Sequence, residues 1–493
     1  MPDNDWLEPT AATHKPEQPN ILIIMSDEHR WDYSQFNGDP VVQTPHLDRL
    51  AQSGVNFTNA YCNSPLCSPS RQSFMAGLYP YRIGLWNNTS SMPESTATWA
   101  HALSAAGYET MLCGKMHFNG FQKMYGFDRR PVLEGNNNGD VFYSWGIRTT
   151  HDWTQPLKPC RSGPKDITQA GIDVPERQPI FQHDARIVNG TIDILKEKAA
   201  QPDGKPWALC CSTVLPHPPF TARKDLYEKY RGRSSKPFNP FGEGLGACDR
   251  SLREYYNLAS NAYTLEDLQV LRDAYYGLIE EFDEYVGQVL DMLETTGLAK
   301  NTIVIYVSDH GEMAGDFGMI GKVTLRESSV RIPMIVRYPG RSKPGTTCDT
   351  PVSLVDIYPT LLDIAGTTLP APLKLDGNSL IPLIDGRTAD FKGGSVFCEF
   401  EGEGWNHPRA MLRDGDFKYI HYHTDAPELY NLAIDPQETT NLAPLKEYAK
   451  TCNRLRALFP KDWDGAKIET EVIESQARMR LSRCRNVCKD IGW

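Results

Sequence analysis

Short apolar runs alternate with longer amphipathic stretches along most of the chain. Apolar runs occupy residues 21–25, 110–113, 207–215 and 302–307, and they have the length of buried strands. This alternation is typical of a mostly parallel sheet covered by helices on both faces. We therefore predict an α/β fold for the larger part of the chain.

Two helices have well-marked ends. Residues 45–60 are predicted to form a helix followed by a turn, with Thr44 as N-cap, Pro45 at the first helical position and Gly54 as the stop. The longest helix is predicted over residues 265–293, where apolar residues recur at spacings of three and four. We interpret that apolar stripe as core.

The pattern changes after residue 394 to short alternating runs over residues 395–400, 410–413 and 417–423. Alternation with a period of two is typical of an antiparallel sheet with one solvated face. We predict a large domain over residues 1–394, which includes a polar N-terminal extension over residues 1–18. A smaller C-terminal α+β subdomain and its tail are predicted over residues 395–493.

Charge and cysteine usage restrict the class of protein. The chain has 51 Lys plus Arg against 62 Asp plus Glu, a net charge of -11, which argues against a nucleic-acid surface. The 12 cysteines are scattered without a C-x-x-C ladder, as in a reduced compartment. No basic and apolar leader is seen at the N-terminus, and no apolar run approaches the ~20 residues that span a bilayer. We expect a cytoplasmic protein without membrane contact, or a periplasmic or secreted one if a leader was removed.

Each of the four apolar runs ends in residues that handle charge. These residues are Asp27 and Glu28, Lys115 and His117, His217, and Asp309 and His310. In open α/β sheets, ligands bind outside the carboxyl ends of the strands, so these side chains are expected to converge. Asp27 and Asp309 are hard oxygen donors suited to Ca²⁺ or Mg²⁺. Lys115 with His117 suits an oxyanion, and His217 between prolines is placed as a general acid, or is only part of a turn.

The pentapeptide Cys67-Ser68-Pro69-Ser70-Arg71 combines a cysteine, a proline and an arginine within one turn. The proline restricts the backbone, and the arginine is suited to binding an anion beside the reactive side chain. The alternative is a small buried cysteine with no chemical role. Lys322, which follows Gly321, is placed to fold back over the same crevice.

With these residues assembled, the chain resembles the formylglycine-dependent type I sulfatases of the alkaline-phosphatase-like superfamily. The resemblance extends over nearly the whole length. Its ordered landmarks are Pro19 to Asp27, Thr44 to Ala51, Cys67 to Arg71, Gly114-Lys115 with His117, Pro216 to Phe220, Ser308 to Glu312, Lys322, Arg331-Ile332-Pro333, and Glu428 to Leu432 with Asp435-Pro436 and Glu438.

The resemblance implies that a maturation enzyme oxidises Cys67 to formylglycine. One hydroxyl of its hydrate would attack sulfur, and the other would later expel sulfate. It further implies one divalent cation, first Ca²⁺ and otherwise Mn²⁺ or Mg²⁺. The cation would be held by Asp27, Asp309, His310 and residue 67, with Glu28 as a further candidate ligand.

The resemblance also assigns roles around the sulfate group. Arg71, Lys115 and Lys322 would bind the sulfate oxygens. His217 would protonate the leaving group, and His117 would assist the hydrate or its collapse.

The Asp309-His310 pair and the segment from Ser64 to Cys67 are similar to the branch of choline-sulfatases and phosphonate monoester hydrolases. In that branch homo-oligomers are frequent, and the tail would mediate them. Many sulfatases carry two aspartates where this chain has Asp27-Glu28, which leaves open whether Glu28 is a ligand. Two rival functions remain: hydrolysis of phosphonate monoesters or phosphodiesters, and non-catalytic binding of sulfated ligands with Cys67 unmodified.

The expected substrate is a small alkyl, aryl or carbohydrate sulfate ester. Candidate rim residues combine aromatic and polar side chains that stack on, or hydrogen-bond, a leaving group. They are Trp31, Asn87, Asn88, Trp405, His407 and Arg409. For Trp405 and Arg409 the alternative is packing of the C-terminal sheet on the large domain.

Overall fold

The computed structural model describes residues 18–120, 122–134, 153–155, 169–172, 179–201, 204–258 and 262–482. The predicted N-terminal extension therefore lies almost wholly outside the described residues. The last part of the tail, after residue 482, also lies outside them.

Strands occur where the apolar runs predict them, with further short strands between. In chain order they are β1 (Asn20–Ser26), β2 (Val55–Phe57), β3 (Ala60–Tyr61), β4 (Glu109–Gly114), β5 (Arg129–Val132), β6 (Gly171–Ile172), β7 (Trp207–Ser212), β8 (Thr221–Ala222), β9 (Thr302–Ser308), β10 (Arg331–Ile332), β11 (Met334–Arg337), β12 (Thr346–Cys348), β13 (Val352–Ser353), β14 (Ser395–Phe400), β15 (Arg409–Asp414), β16 (Phe417–Tyr422) and β17 (Glu428–Asn431).

The described α-helices are α1 (Pro45–Ser53), α2 (Cys67–Ala76), α3 (Pro80–Ile83), α4 (Trp99–Ala105), α5 (Pro179–Ala199), α6 (Lys224–Tyr230), α7 (Ala247–Tyr255), α8 (Leu265–Thr295), α9 (Glu327–Val330), α10 (Ile357–Ala365), α11 (Ile381–Ile384), α12 (Ala449–Ala457) and α13 (Gly465–Ser482). Short 3₁₀ turns lie at Gln35–Asn37, Leu298–Asn301, Asp316–Gly318, Leu354–Asp356, Thr388–Asp390 and Lys446–Tyr448. None of these described helices has the length and apolar character needed to cross a bilayer.

The centre of the large domain is an eight-stranded sheet in the order β12-β2-β11-β9-β1-β7-β4-β5. Strands β9, β1, β7, β4 and β5 run parallel, while β11 is antiparallel to both of its neighbours. The parallel group places the carboxyl ends of β9, β1, β7 and β4 at one edge.

Both faces of this sheet are buried. Ile21 and Ile23 of β1 pack into one apolar cluster, and Leu22 and Ile24 pack into the opposite one. The second cluster includes the apolar stripe of α8, which begins at a capping box between Thr264 and Asp267. Burial on both faces explains why the central strands read as continuous apolar runs.

The C-terminal sheet has the order β14-β15-β16-β17, and all of its pairs are antiparallel. Together with the mostly parallel large sheet, it confirms the predicted fold class. Its first strand begins at Ser395, while the domain boundary itself stays a prediction. The predicted strand over residues 207–215 ends at Ser212, because the next residues turn toward helix α5.

Candidate active site

Strand register brings the polar strand ends to one level. Ser26 of β1 lies opposite Ser308 of β9, and Gly114 of β4 lies opposite Ser212 of β7. The residues that follow these strands therefore start from the same edge of the sheet. This placement gathers the charged residues predicted from the four apolar runs.

Cys67 is the first residue of α2 and is buried. Its Sγ lies 3.2 Å from Nε2 of His310 and 3.9 Å from Oδ1 of Asp27. Asn88 supports this helix start, because its Oδ1 accepts the backbone N–H of Ser68 at 3.0 Å. Burial, followed by the negative charge of Asp27, raises the pKa of the Cys67 thiol to about 12. The unmodified side chain is therefore a thiol at neutral pH.

Four side chains form the best candidate metal site. Asp27, Cys67, Asp309 and His310 are buried and offer ligand atoms that all lie within 4.8 Å of one another. Nδ1 of His310 lies 3.0 Å from the carbonyl of Gly311, and because a carbonyl only accepts, that nitrogen carries the proton. Nε2, the other ring nitrogen, faces residue 67 and is the one available to a metal ion.

Arg71 lies behind this site and holds its two carboxylates. Nη2 donates to Asp27 at 2.8 Å and Nε donates to Asp309 at 2.6 Å. Nη1 donates to the carbonyl of Lys115 and to Oγ of Ser212. Since the guanidinium is fully buried among these acceptors, its contacts favour a positioning role over the sulfate binding predicted from the motif.

Glu28 contacts two other predicted site residues, Lys322 and His217. Its carboxylate forms an ion pair with Nζ of Lys322 and lies 3.4 Å from Nε2 of His217. Asp27, Glu28 and His217 are a second group with metal-ligand spacing. Asp27 belongs to both groups, but Glu28 already pairs with Lys322, so the group that adds Cys67, Asp309 and His310 is the better metal site.

Two imidazoles beside these charged residues are neutral bases. Burial and the positive charge of Lys115 lower the pKa of His117 to about 3. Burial and the positive charge of Lys322 hold the pKa of His217 well below its usual range. His217 is oriented by its Nδ1, which lies 2.6 Å from the carbonyl of Pro218.

Two buried acids that sequence reasoning missed hold the loops of these histidines. Asp184 of α5 accepts the backbone N–H groups of Val214, at 2.9 and 3.0 Å, and of Leu215, at 2.7 Å. Glu134 accepts three N–H groups of the loop that carries His117. Glu134 follows the end of a strand, so the rule that found Asp27 applies to it once Arg129–Val132 is identified as β5.

The six predicted rim residues fall into two groups, those that contact segments of the site and those whose described contacts lie elsewhere. Asn88 supports the start of α2, and Arg409 donates to the carbonyl of Val323, which follows Lys322. The remaining four have described contacts elsewhere: Trp31 with Arg331, Asn87 with Thr89, Trp405 with Tyr422, and His407 with Glu469. Of the predicted rim, Asn88 and Arg409 therefore touch segments that carry site residues.

A comparison with protein families decides what this arrangement belongs to. The family model described as Sulfatase matches residues 19–367, which is more than half of the chain. The chain belongs to the sulfatase family. A second model, described as N-sulphoglucosamine sulphohydrolase, C-terminal, matches residues 315–461 of the sulfatase and includes its antiparallel sheet.

Named relatives extend the match over almost the whole sulfatase. It is 31% identical over 478 residues to a choline-sulfatase of Rhizobium meliloti, covering 94% of this chain and 90% of the relative. It is 31% identical over 469 residues to an arylsulfatase of Clostridium perfringens, covering 91% and 95%. These relatives confirm the predicted enzyme class, a sulfatase that hydrolyses sulfate esters.

Solved structures show the same fold. A phosphonate monoester hydrolase of Agrobacterium radiobacter is 26% identical with a TM-score of 0.71, covering 89% of this chain and 95% of that one. A protein in complex with its substrate D-glucosamine-2-N,6-O-disulfate has a TM-score of 0.73 at 24% identity, covering 93% and 98%. The predicted alkaline-phosphatase-like superfamily is thereby confirmed.

Proposed function

We propose that this sulfatase cleaves its ester with an oxygen nucleophile made from Cys67 by oxidation to formylglycine. The observation that carries the proposal is the position of residue 67 within 4.8 Å of ligand atoms of Asp27, Asp309 and His310. Hard oxygen and imidazole donors suit a cation that prefers oxygen ligands over a soft sulfur at this position. The hydrate of formylglycine supplies hydroxyl groups at this position.

The donor set fits a single divalent cation. Asp27 and Asp309 supply carboxylate oxygens, His310 supplies Nε2, and residue 67 supplies an oxygen after conversion. When bound, such a cation polarises the sulfate and lowers the pKa of the hydroxyl that attacks it. The carboxylates suit Ca²⁺ or Mg²⁺, and they also suit Mn²⁺, which tolerates the additional imidazole better. Glu28 belongs to the second group, which does not include residue 67, and it pairs with Lys322, so it is left out of the proposed ligand set.

Two lysines and one histidine act on the ester in this proposal. The ammonium groups of Lys115 and Lys322 provide positive charge for the sulfate oxygens, because both are drawn to the pocket by buried acids. His217 takes up a proton as the anionic ester binds and gives it to the leaving oxygen. His117 remains a neutral base that assists residue 67.

The leading substrate class is a small alkyl, aryl or carbohydrate sulfate ester. The relatives named choline-sulfatase and arylsulfatase support the first two groups. A formylglycine-generating enzyme is the expected maturation partner. The cysteines that the structure describes are free thiols.

Hydrolysis of a phosphonate monoester or phosphodiester is the second candidate. It is favoured by the likeness to the phosphonate monoester hydrolase of Agrobacterium radiobacter at 26% identity. The same lysines and cation would meet a phosphoryl group. Non-catalytic binding is disfavoured, because the matched relatives are named as enzymes.

Matched substrates separate the two reactions. Rates are measured on nitrophenyl sulfate and on nitrophenyl phenylphosphonate with the same converted enzyme, since the two share one leaving group. We expect the larger kcat/KM on the sulfate. Faster turnover of the phosphonate would make the phosphonate reaction the principal function.

A further inference from the structure

A buried carboxylate outside the pocket is wrapped by the loop that carries His117. Glu134 is only 6% exposed. Its Oε2 accepts the backbone N–H of Met116 at 3.0 Å and that of His117, and its Oε1 accepts the N–H of Phe118 at 3.2 Å. Three successive N–H groups that converge on one anion form a backbone nest.

The backbone of His117 needs such support. Its φ of +56° lies in the left-handed region, which non-glycine residues seldom adopt. Residues held there persist where the surroundings over-determine their conformation, and they cluster at functional sites. The hydrogen bond from its own N–H to Glu134 fixes this conformation directly.

Arg130 keeps the carboxylate of Glu134 ionised within the nest. Its Nη2 lies 3.2 Å from Oε1 of Glu134 and also donates to the carbonyl of Gly114 at the end of β4. Burial alone would raise the pKa of Glu134, but the positive charge of Arg130 outweighs it, and the pKa lies below its usual value. The N–H groups therefore bind an ionised carboxylate, which strengthens each hydrogen bond.

We propose that Glu134 is a positioning residue for the hydrolysis. Its carboxylate fixes the backbone of residues 116–118 and thereby sets where the imidazole of His117 lies in the pocket. Glu134 does not touch the reacting atoms and acts only through this loop. The proposal rests on the proposed function for the role of His117, but the anchoring of the loop is independent of it.

The test compares Glu134→Gln with a matched control, Glu109→Gln, in the full-length converted enzyme. Glu109 is the first residue of the neighbouring strand β4 and lies at the end of that strand away from the site. It is paired with Lys198 and Arg129. Glutamine keeps the size of the side chain but offers one carbonyl acceptor, and its amide group meets an N–H instead of accepting it. Both variants lose a paired carboxylate, and only one of them loses the nest.

We expect Glu134→Gln to lower kcat/KM roughly 100-fold, the scale of a small misplacement of a catalytic group. Glu109→Gln should retain the wild-type value. In the background of His117→Ala, Glu134→Gln should cost nothing further, because a residue that acts through His117 has no second route. Amide hydrogen exchange should accelerate in the peptide over residues 114–119 of Glu134→Gln and stay unchanged in the control.

Equal losses in the presence and absence of His117, or unchanged exchange in the loop, would overturn the proposal. If Glu134→Gln does not fold, Glu134→Asp keeps the charge with a shorter reach and carries the same comparisons. An unsubstituted enzyme without sulfatase activity would refute the proposed function, and the exchange measurement would still decide the role of Glu134.

Discussion

At the scale of single residues, the chemistry depends on which side chains surround Cys67. Its neighbours at 3.2 and 3.9 Å are an imidazole and a carboxylate, and burial raises the pKa of its thiol to about 12. Carboxylate and imidazole neighbours suit an oxygen bound to a cation better than a soft sulfur. Arg71, four residues on, holds the carboxylates that complete this environment.

The first prediction concerns Arg71→Lys. A lysine ammonium cannot donate to both Asp27 and Asp309 with the planar geometry of a guanidinium. Because groups that orient metal ligands contribute strongly to affinity, binding of Mn²⁺ or Ca²⁺ should weaken by roughly 10–100-fold. Isothermal titration of the metal-free protein measures this change.

The control for that experiment is Arg272→Lys. Arg272 is also buried, but it pairs with Asp316 and the carbonyl of Ala314 outside the proposed ligand group. Its substitution should leave metal affinity close to wild type. Equal weakening in both variants would show that Arg71 contributes only to general stability.

At the scale of elements, the site is assembled by loops that start from one sheet edge and are tied down by buried acids. The apolar runs were sufficient to predict β1, β4, β7 and β9 and the residues after them. They were insufficient for β5, because Arg129–Val132 mixes charge with a proline that only an edge strand tolerates.

Other site features have no local sequence pattern. Asp184 bonds to backbone N–H groups 30 and 31 residues further along the chain, which no spacing rule relates to it. The motif predicts Arg71 as a site residue, but the side of α2 on which its acceptors lie is a property of the packed helix. The pattern thus indicates which chemistry is present, and tertiary packing decides what each group faces.

The second prediction concerns Asp184→Asn. An asparagine offers a single acceptor oxygen, so the turn from Val214 to His217 loses part of its support. Displacement of His217 slows hydrolysis most for esters whose leaving group must be protonated. We expect kcat to fall more for an alkyl sulfate than for nitrophenyl sulfate, and steady-state kinetics on both substrates measure the ratio.

Asp283→Asn is the matched control for this ratio. Asp283 is likewise buried and accepts the N–H groups of His46 and Leu47 at 3.0 and 2.8 Å, at the start of α1. Its loss should reduce stability and leave the ratio between the two substrates unchanged. A ratio that shifts equally in both variants would contradict the role of the turn.

At the scale of the whole molecule, a buried ion cluster joins the C-terminal sheet to the large domain. Lys418 of β16 lies 3.0 Å from Glu327 and 2.7 Å from Glu438. Glu438 also accepts the backbone N–H of Glu327 at 2.8 Å, five residues after Lys322. The sheet therefore supports the segment that brings this lysine to the pocket.

The third prediction concerns Lys418→Met, which leaves two buried carboxylates without their shared cation. Breaking a buried pair in this way typically destabilises a protein by about 3–5 kcal/mol. Urea or thermal unfolding measures the loss. Lys467→Met is the control, because Lys467 is exposed and its ion pair with Glu471 contributes little.

The same cluster makes the stability of the fold depend on pH in the acid range. Burial would raise the pKa of Glu327, but Lys418 and the nearby arginines outweigh it and hold the pKa at about 2. Ionised Glu327 therefore stabilises the fold above its ordinary pKa of 4.5, and this contribution is lost as the pH falls from there toward 2. In Lys418→Met, the loss of folding stability between pH 4.5 and about pH 2 should be smaller than in the unsubstituted protein.

The central claim is the conversion of Cys67, and mass spectrometry of the peptide that contains residue 67 tests it most directly. The protein is produced with and without a formylglycine-generating enzyme, and each sample is assayed on nitrophenyl sulfate. We predict the mass of formylglycine at residue 67, activity in proportion to the converted fraction, and no activity in Cys67→Ala. Full activity in protein whose Cys67 is wholly unmodified would contradict the account.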